Sequence, residues 1–444
     1  MLVKYLYAGL FLFSFSLFLF HFIVSGQAVY GDGIGYYAHL HSWVIDGDWD
    51  YTNEYRHLYD HDRNNLKEDS LAPNIQIVGT TSDGKAENFY GTGVAVLLLP
   101  FFLLAHFLSL LSNVFGANLP VLGYSDLYQI LTGLGAVFYA ICGVWILEKT
   151  IFIVIKDSKI SLLSSFVLFL SSSLIYYGGY DVLNSHFASF FLSSLFFYLL
   201  FSRGQYYYFP VATGVVAGLL TINRLQDSAI IIVWGIDLLW SYFRSSSKNI
   251  KIMFAEIGKF TLGLLFALIP MVIHWSKVIG NPLAHPYLRS VTNNLQKPSI
   301  DVLGSLFDPV TGLFTRTPLI LVLFVYFLLI RKKNTRYLVL PFLFFVIQFV
   351  IITIQGGWSA AAFGGRMYLS SLPFFGILLG KLLMDIRKRG GFLIYFFAVT
   401  FILINFISIA AFIFRDKGAS SGGRGVEKYT IKRIENLFLS PFSQ

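Results

Sequence analysis

The chain has 444 residues, of which 56% are hydrophobic and 13% charged, and its mean hydropathy is +0.66. So few polar residues cannot cover a soluble globule of this length, and we predict a polytopic membrane protein. The net charge of +9 does not indicate nucleic acid, because the basic residues fall in short clusters between apolar segments. The single cysteine, Cys142, excludes intrachain disulfides and thiolate metal sites.

A helix needs about 20 apolar residues to cross the hydrocarbon core of a bilayer. The first segment, 5–24, exceeds the core of a usual signal peptide and has no evident cleavage site, so we predict an uncleaved span. Further candidate segments follow in chain order at 94–111, 127–147, 160–177, 185–201, 207–222, 228–243, 260–279, 318–330, 337–354, 367–384 and 392–414.

Basic residues are concentrated in alternate loops from the third candidate onward, and we predict that these loops are cytoplasmic. The intervening loops, which we predict to be outer, lie at 178–184, 223–227, 280–316 and 355–366. Their basic residues are Arg224, Arg289, Lys297, Arg316 and Arg366.

Segment 94–111 decides the orientation of the N-terminus. If all twelve candidates span, the N-terminus is outside and the acidic stretch after the first span is cytoplasmic. Because this segment carries Pro100 and His106 and precedes an uncharged loop, we predict that it lies along or dips into the outer face. The chain then has about 11 transmembrane helices in a domain over 1–414, a large first outer loop over 25–125, and a short tail over 415–444. Twelve spans are the alternative.

The stretch 30–55, YGDGIGYYAHLHSWVIDGDWDYTNEY, follows the first span and concentrates acidic residues. Alternating glycines around Asp32 allow a tight turn that brings its carboxylate to the membrane surface. Residues 34–44 have the spacing of a juxtamembrane helix, which Asp32 could also cap. Asp46, Asp48 and Asp50 indicate a solvated turn rather than a calcium loop, because the glycine and terminal glutamate of an EF-hand are misplaced.

The later outer loops contain further candidates for chemistry. Asp181, close to His186, is either a functional group at the edge of a span or a solvated loop residue. Arg224 either pairs with Asp227 or faces an outer cavity. Arg366, after two glycines, suits a phosphate because its guanidinium is a rigid, permanently charged fork of donors; interfacial snorkelling is the alternative.

Several common catalytic motifs are missing from the sequence. It has no P-loop, no GxGxxG after a strand, no HExxH and no GxSxG. Nucleotide hydrolysis, Rossmann cofactors and zinc-protease chemistry therefore lack support.

The order of these features resembles the GT-C glycosyltransferases, the superfamily that includes protein O-mannosyltransferases and the aminoarabinose transferases of lipid A. The matching parts are Asp32 in GDGIGYYAHLHSWVIDGDWDYTNEY, the segment NFYGTGVAVLLLPFFLLAHF, Asp181 in the second outer loop, and FGGRMYLSSLPFF. The chain departs from that family where Tyr90 and Gly91 replace a Tyr-Pro or Pro-Pro pair, and in lacking a sizeable C-terminal soluble domain.

The resemblance implies an all-α GT-C fold that transfers a sugar from a polyprenyl-phosphate donor to an acceptor hydroxyl on the outer face, with inversion. The acceptor would be a glycan, a lipid or a protein, and the partners would include membrane lipids but no nucleic acid. The expected location is a bacterial inner membrane, with the active site facing the periplasm. No cofactor is expected, although a divalent cation stays possible.

The resemblance assigns the general base to Asp32 and a supporting role to Asp181, which would orient the acceptor or hold the base. Arg366, Arg224 or Arg289 would stabilise charge on the leaving phosphate. The other substrate-binding candidates are Tyr36, Tyr37, Glu54, Tyr90, His186 and His285. A transporter or flippase of a lipid-linked saccharide, or a purely structural membrane protein, are the alternative functions.

Overall fold

A computed structural model of the chain describes residues 2–59, 81, 84–117, 119–203, 209–245, 248–282, 300–330, 335–359 and 362–416. His285 and Arg289 lie outside the described residues, as does the tail beyond 416. The described part is predominantly helical and contains no β-strand.

The helices follow one another along the whole described chain. They are α1 (Leu2–Ser25), α2 (Gly33–His41), α3 (Thr52–Tyr59), α4 (Gly93–Val114), α5 (Asp126–Ile155), α6 (Ser158–Leu170), α7 (Leu174–Gly179), α8 (His186–Phe201), α9 (Phe209–Asn223), α10 (Ala229–Arg244), α11 (Ile250–Val278), α12 (Val302–Phe307), α13 (Leu313–Arg316), α14 (Pro318–Leu329), α15 (Arg336–Gln355), α16 (Leu372–Arg387) and α17 (Gly391–Ala411). Short 3₁₀ or π turns lie at Ser42–Asp46, Leu225–Ser228, Gly357–Ser359, Arg366–Ser371 and Phe412–Asp416.

Seven helical segments of the described chain are long and apolar enough to cross a membrane. They are α1, α4, α5, α11, α15, α16 with the 3₁₀ turn before it, and α17 with the turn after it. Helices α6, α8, α9 and α14 are apolar but shorter. The chain is therefore an all-helical, multi-pass membrane protein. The count of eleven spans stays a prediction.

The segment 160–177 is not one continuous helix, as the sequence analysis expected, because α6 ends at Leu170 and α7 begins at Leu174. Carbonyl groups released by such a break need donors, since lipid supplies none. The Asn405 side chain on α17 donates to the carbonyl oxygens of Leu170 and Ser172, at 2.9 Å each. Packing between distant helices thus permits a break that apolar periodicity could not indicate.

Four charged residues in or beside loops predicted to be cytoplasmic form a partly buried cluster. The Asp237 side chain is 1% exposed and accepts from Arg203 Nη1 at 3.3 Å and Arg336 Nη2 at 2.7 Å. Arg203 also pairs with Glu256. This cluster lies just beyond the C-terminal end of α8, whose 16 residues place it about 24 Å from His186.

Helices α9 and α11 pack closely enough that glycines are required between them. A Cβ at Gly214 would lie 2.0 Å from the Phe260 carbonyl oxygen, and one at Gly263 would lie 2.2 Å from that of Val211. Small residues permit this approach between membrane helices. The contact holds α9, and with it Arg224 just beyond its C-terminal end.

Helix α4 packs against α5. The adjacent residues Phe101 and Phe102 contact Tyr139 and Tyr128, with ring centroids 6.0 and 5.1 Å apart. These tyrosines are separated by about 16 Å along α5. Further along α4, His106 Nδ1 again meets the Tyr128 hydroxyl, at 2.8 Å. These contacts position α4 against α5, and its placement in the membrane stays a prediction.

We predict that Phe115, which follows α4 and is 81% exposed, lies on the outer side. In a Cys142→Ser background, Phe115→Cys should react with a membrane-impermeant maleimide in intact cells, because a dipping helix returns to its starting face. Lys85→Cys, in the same predicted outer loop, is the positive control. Ser158→Cys, at the exposed predicted cytoplasmic turn, should react only after permeabilisation. Labelling of Phe115→Cys only after permeabilisation would establish that α4 spans.

Candidate functional site

Asp32 occupies the N-cap position of α2, but its carboxylate makes no capping hydrogen bond. Arg366 Nη1 donates to Asp32 Oδ2, and the Tyr90 hydroxyl donates to Asp32 Oδ1, each at 3.0 Å. The interpretation of the side chain as a helix cap is therefore wrong. Both of its oxygens instead join α2 to segments far away in the chain.

Two glycines of α2 permit the close approaches that set this position. A Cβ at Gly33 would lie 2.4 Å from the Leu183 carbonyl oxygen, and one at Gly35 would lie 1.9 Å from the Tyr90 ring. Real Cβ atoms do not come this close, so the sequence needs glycine at both positions. The first contact brings Asp32 beside the 181–184 loop, and the second places the Tyr90 ring against α2.

Asp181 belongs to the same cluster of charges. The Arg366 guanidinium interacts electrostatically with both carboxylates, Asp32 and Asp181, and with the phenols of Tyr36 and Tyr177. Burial raises the pKa of the Tyr30 phenol, and the nearby Asp181 carboxylate raises it further. The structure thus brings Asp32, Asp181 and Arg366, which come from three predicted outer loops, to one place.

Arg224 interacts electrostatically with Asp227 but forms no direct ion pair with it, so the predicted pairing is wrong. Its Nη1 lies 2.8 Å from His186 Nδ1, and its Nη2 donates to Gln226 Oε1 at 3.2 Å. Since a guanidinium only donates, His186 Nδ1 accepts and the imidazole is neutral. The fully buried Asp227 accepts instead from Ser189 Oγ at 2.6 Å.

Two guanidiniums at this site retain capacity to bind an anion. Arg366 Nε is buried and has no acceptor among the described residues. Arg224 makes no ion pair with a carboxylate in the described part of the chain. Both cations interact electrostatically with His186. An unsatisfied buried N–H group is costly, so an anionic ligand between the cations would be stabilised.

The helix α2 is enclosed by protein, and not laid on the membrane interface as its spacing suggested, because all nine of its residues are buried. Tyr36 packs edge-on against Tyr90, with centroids 4.9 Å apart. Burial raises the pKa of Tyr36 to about 12, and the Asp32 charge contributes. Tyr37 points elsewhere and donates to the Gly123 carbonyl oxygen at 2.6 Å.

Glu54 lies beyond the far end of α2 from Asp32. Its Oε1 is 3.1 Å from Nδ1 of His41, the last residue of α2. Nine residues of helix separate the two ends by about 13 Å. Burial raises the pKa of Glu54 to about 7, although the His41 hydrogen bond opposes the shift. Burial lowers the pKa of His41, but the hydrogen bond and charge of Glu54 outweigh it and the net shift is upward.

Two of the three aspartates at residues 46–50, Asp48 and Asp50, form the predicted turn. Asp48 Oδ1 accepts from the Asp50 amide, and Asp50 Oδ1 accepts from the Thr52 amide, at 3.1 Å each. Asp46 instead lies 3.1 Å from His41 Nδ1. The acidic stretch therefore has three parts: Asp32 at the start of α2, the turn formed by Asp48 and Asp50, and the cluster around His41.

Sequence reasoning missed a buried hydrogen-bond network beside the site. The Tyr51 hydroxyl lies 3.0 Å from His39 Nδ1 and 3.1 Å from His274 Nδ1. His39 Nε2 meets the Tyr90 carbonyl oxygen at 3.0 Å, and His274 Nε2 meets that of Asn88 at 2.9 Å. The network ties the first outer loop to α11. Residue spacing carries no signal for it, because hydrogen-bonded partners in the network are up to 223 positions apart.

No protein-family model and no curated protein matches the chain. Among solved structures it is similar to the Archaeoglobus fulgidus oligosaccharyltransferase, crystallised with a tethered acceptor peptide that contains the NVT sequon. The two are 12% identical with a TM-score of 0.35, and the match covers 78% of this chain and 47% of that protein. The chain thus spans about half the length of that enzyme. A TM-score this low does not show a common fold.

Replacing Gly35 by Ala should displace the Tyr90 ring, because the new Cβ would overlap it. Overpacking of this kind costs about 1–3 kcal/mol. We expect thermal unfolding in detergent to show Gly35→Ala destabilised by that amount. Gly235→Ala on α10 is the matched control, since a Cβ there meets nothing within 4 Å. Equal stability of the two variants would contradict the contact.

Proposed function

We propose that the chain is an integral-membrane glycosyltransferase of GT-C type. It moves a sugar from a polyprenyl-phosphate donor to an acceptor hydroxyl at the outer face, with inversion. One observation carries the proposal: Asp32 lies between Arg366 and Tyr90, and a second cation, Arg224, lies nearby and forms no direct ion pair with a carboxylate of the described residues. A carboxylate base and free guanidiniums beside it are the groups that this transfer needs.

The ends of the helices support the assignment to the outer face. Asp32, Asp181, Arg224 and Arg366 all come from loops that the distribution of basic residues predicts to be outer. Arg203 and Arg336, which pair with Asp237 one helix length away, come from loops predicted to be cytoplasmic. A donor carried by a lipid presents its phosphate at headgroup depth, where helix ends of this kind lie.

The transfer assigns a separate task to each group. Asp32 accepts the proton of the acceptor hydroxyl as the oxygen attacks the anomeric carbon. The bond from that carbon to the phosphate oxygen breaks, and the phosphate leaves with the electron pair. Arg366, through its unsatisfied Nε, and Arg224 stabilise the charge that grows on the phosphate. Asp181 and Tyr36 border the acceptor side.

The resting ion pair must loosen for this chemistry, and its strength permits that. The side chains of Asp32 and Arg366 are 35% and 19% exposed, so water reaches the Asp32 side of the pair and weakens it. A donor phosphate that binds Arg366 would replace Asp32 as the acceptor and release its oxygen, which water can then solvate. The bacterial inner membrane and periplasmic orientation belong to this proposal, as does an acceptor that is a glycan, lipid or protein.

Asp32→Asn should lower the turnover of a lipid-phosphate-linked sugar by about 10²–10⁴-fold, because an amide cannot accept the proton. The measurement is donor consumption and product formation in proteoliposomes. Asp48→Asn, an exposed acid of the same stretch, should retain activity. Undiminished transfer by Asp32→Asn would refute the role of the base. Movement of intact donor without cleavage would instead indicate a flippase.

Arg224→Lys should reduce kcat/KM for the donor by about 10–100-fold, since lysine keeps the charge but loses the fork of donors that binds phosphate. The matched control is Arg244→Lys, whose side chain is exposed at the predicted cytoplasmic end and lies over Trp240. Full activity of Arg224→Lys, measured with varied donor, would show that this cation does not contact the phosphate.

A further inference from the structure

A second cluster of ligating side chains lies at the far end of α2, separate from Asp32. His41 Nδ1 is 3.1 Å from Asp46 Oδ2 and 3.1 Å from Glu54 Oε1. All three ligand atoms lie within 4.8 Å of one another. The side chains of His41 and Glu54 are 4% and 0% exposed, whereas that of Asp46 is 24% exposed. The cluster is therefore buried on one side and open to water on the other.

The tautomer of His41 is determined by a group outside the cluster. His41 Nε2 lies 2.9 Å from the Leu122 carbonyl oxygen, which only accepts, so Nε2 carries a proton. In the neutral imidazole, Nδ1 then presents a lone pair to the two carboxylates. Histidine ligands to metals commonly donate their other N–H to a carbonyl in this way.

The ring itself is held in place by the segment before α5. Tyr124 stacks on it with centroids 4.1 Å apart and an interplanar angle of 14°. Gly123 lies so close that a Cβ there would come within 2.6 Å of the imidazole. His41 is thus oriented before any ligand arrives.

An unsatisfied oxygen independently indicates a missing partner. Glu54 Oε2 is buried and has no hydrogen-bond partner among the described residues. A buried carboxylate with an unpaired oxygen is costly unless a cation or proton compensates it. A cation at the cluster would lie beside this carboxylate and could take both of its oxygens, as glutamate ligands often allow.

We propose that His41, Asp46 and Glu54 bind a divalent first-row transition-metal ion, with Mn²⁺ or Zn²⁺ as the fitting examples. Ligand atoms about 2.1 Å from an ion lie about 3.0 Å apart at right angles and about 3.4 Å apart in a tetrahedral site, and both 3.1 Å distances fall within this range. An imidazole with two carboxylates suits these ions better than Mg²⁺, which prefers oxygen. Water would complete the coordination on the exposed side of Asp46.

The ion would stabilise the structure at this end of α2 and would take no part in the transfer chemistry. The cluster joins the C-terminal end of α2 to α3 and, through Leu122, to the segment that enters α5. The length of α2 keeps it about 13 Å from Asp32. The metal site and the proposed glycosyl transfer can therefore be tested independently of each other.

The test uses the full-length protein in detergent, its metal content, and its thermal unfolding. We expect the purified chain to contain Mn²⁺ or Zn²⁺. EDTA should remove the ion and lower the midpoint of thermal unfolding by about 3 °C or more. Added MnCl₂ or ZnCl₂ should restore the bound ion and the midpoint. MgCl₂ should restore neither. Glu54→Gln and the partly exposed Asp46→Asn should lose the ion and the response. Asp50→Asn, a turn acid outside the cluster, should keep both.

Two results would overturn the proposal. A wild-type chain that binds no ion and is insensitive to EDTA would mean that a protonated His41 bridges the two carboxylates. A metal response that persists in both Glu54→Gln and Asp46→Asn would place the ion elsewhere. If Glu54→Gln does not fold, Asp46→Asn alone decides between these outcomes, since its side chain is at the edge of the cluster. Neither measurement uses transfer activity.

Discussion

The ion pair between Asp32 and Arg366 joins residues 334 positions apart at the end of the helical assembly that is predicted to be outer. It connects the first predicted outer loop to the 3₁₀ turn that precedes α16, and the other groups of the candidate site surround it. Water reaches the Asp32 side of the pair, so this one interaction does not impose the geometry by its own energy. Close packing sets the geometry: α2 against Leu183 and Tyr90, and α9 against α11. The pair is therefore positioned by the fold and remains free to exchange partners.

The two ends of the assembly differ in how their cations are compensated. At the end predicted to be cytoplasmic, Asp237 is shared by Arg203 and Arg336, so these cations and the buried acid are paired. At the end predicted to be outer, Arg224 contacts a neutral imidazole, and Arg366 keeps one N–H without an acceptor among the described residues. Guanidinium donors of this kind beside the carboxylates of Asp32 and Asp181 are suited to binding an anion next to a proton acceptor. This asymmetry, more than the number of charges, distinguishes the candidate site from a structural cluster.

Helix α2 separates two kinds of chemistry that the sequence places in one acidic stretch. Its N-terminal end presents Asp32 to the guanidiniums, and its C-terminal end presents His41 to Asp46 and Glu54. Between them, buried tyrosines and His39 attach the helix to α4, to Tyr90 and to α11. A rigid helix of this length lets one end serve the proposed transfer while the other anchors the loop. Perturbing the anchor need not change the reacting groups.

The sequence by itself determined the membrane class, the approximate bounds of most helices, and the grouping of loops by charge. These follow from apolar run length and from basic residues, which are local properties of the chain. It also singled out Asp32, Asp181, Arg224 and Arg366, because charged groups at span ends are costly and stand out. Only the tertiary structure decided that Asp32 pairs with Arg366 and that Arg224 contacts His186 instead of Asp227. Only it revealed that Asn405 satisfies the break after α6, that α2 is buried, and that Glu54 meets His41. The physical reason is that helix packing places residues side by side that are far apart in the chain. Which of them become partners depends on distance and orientation in space. Spacing along the chain does not encode either quantity.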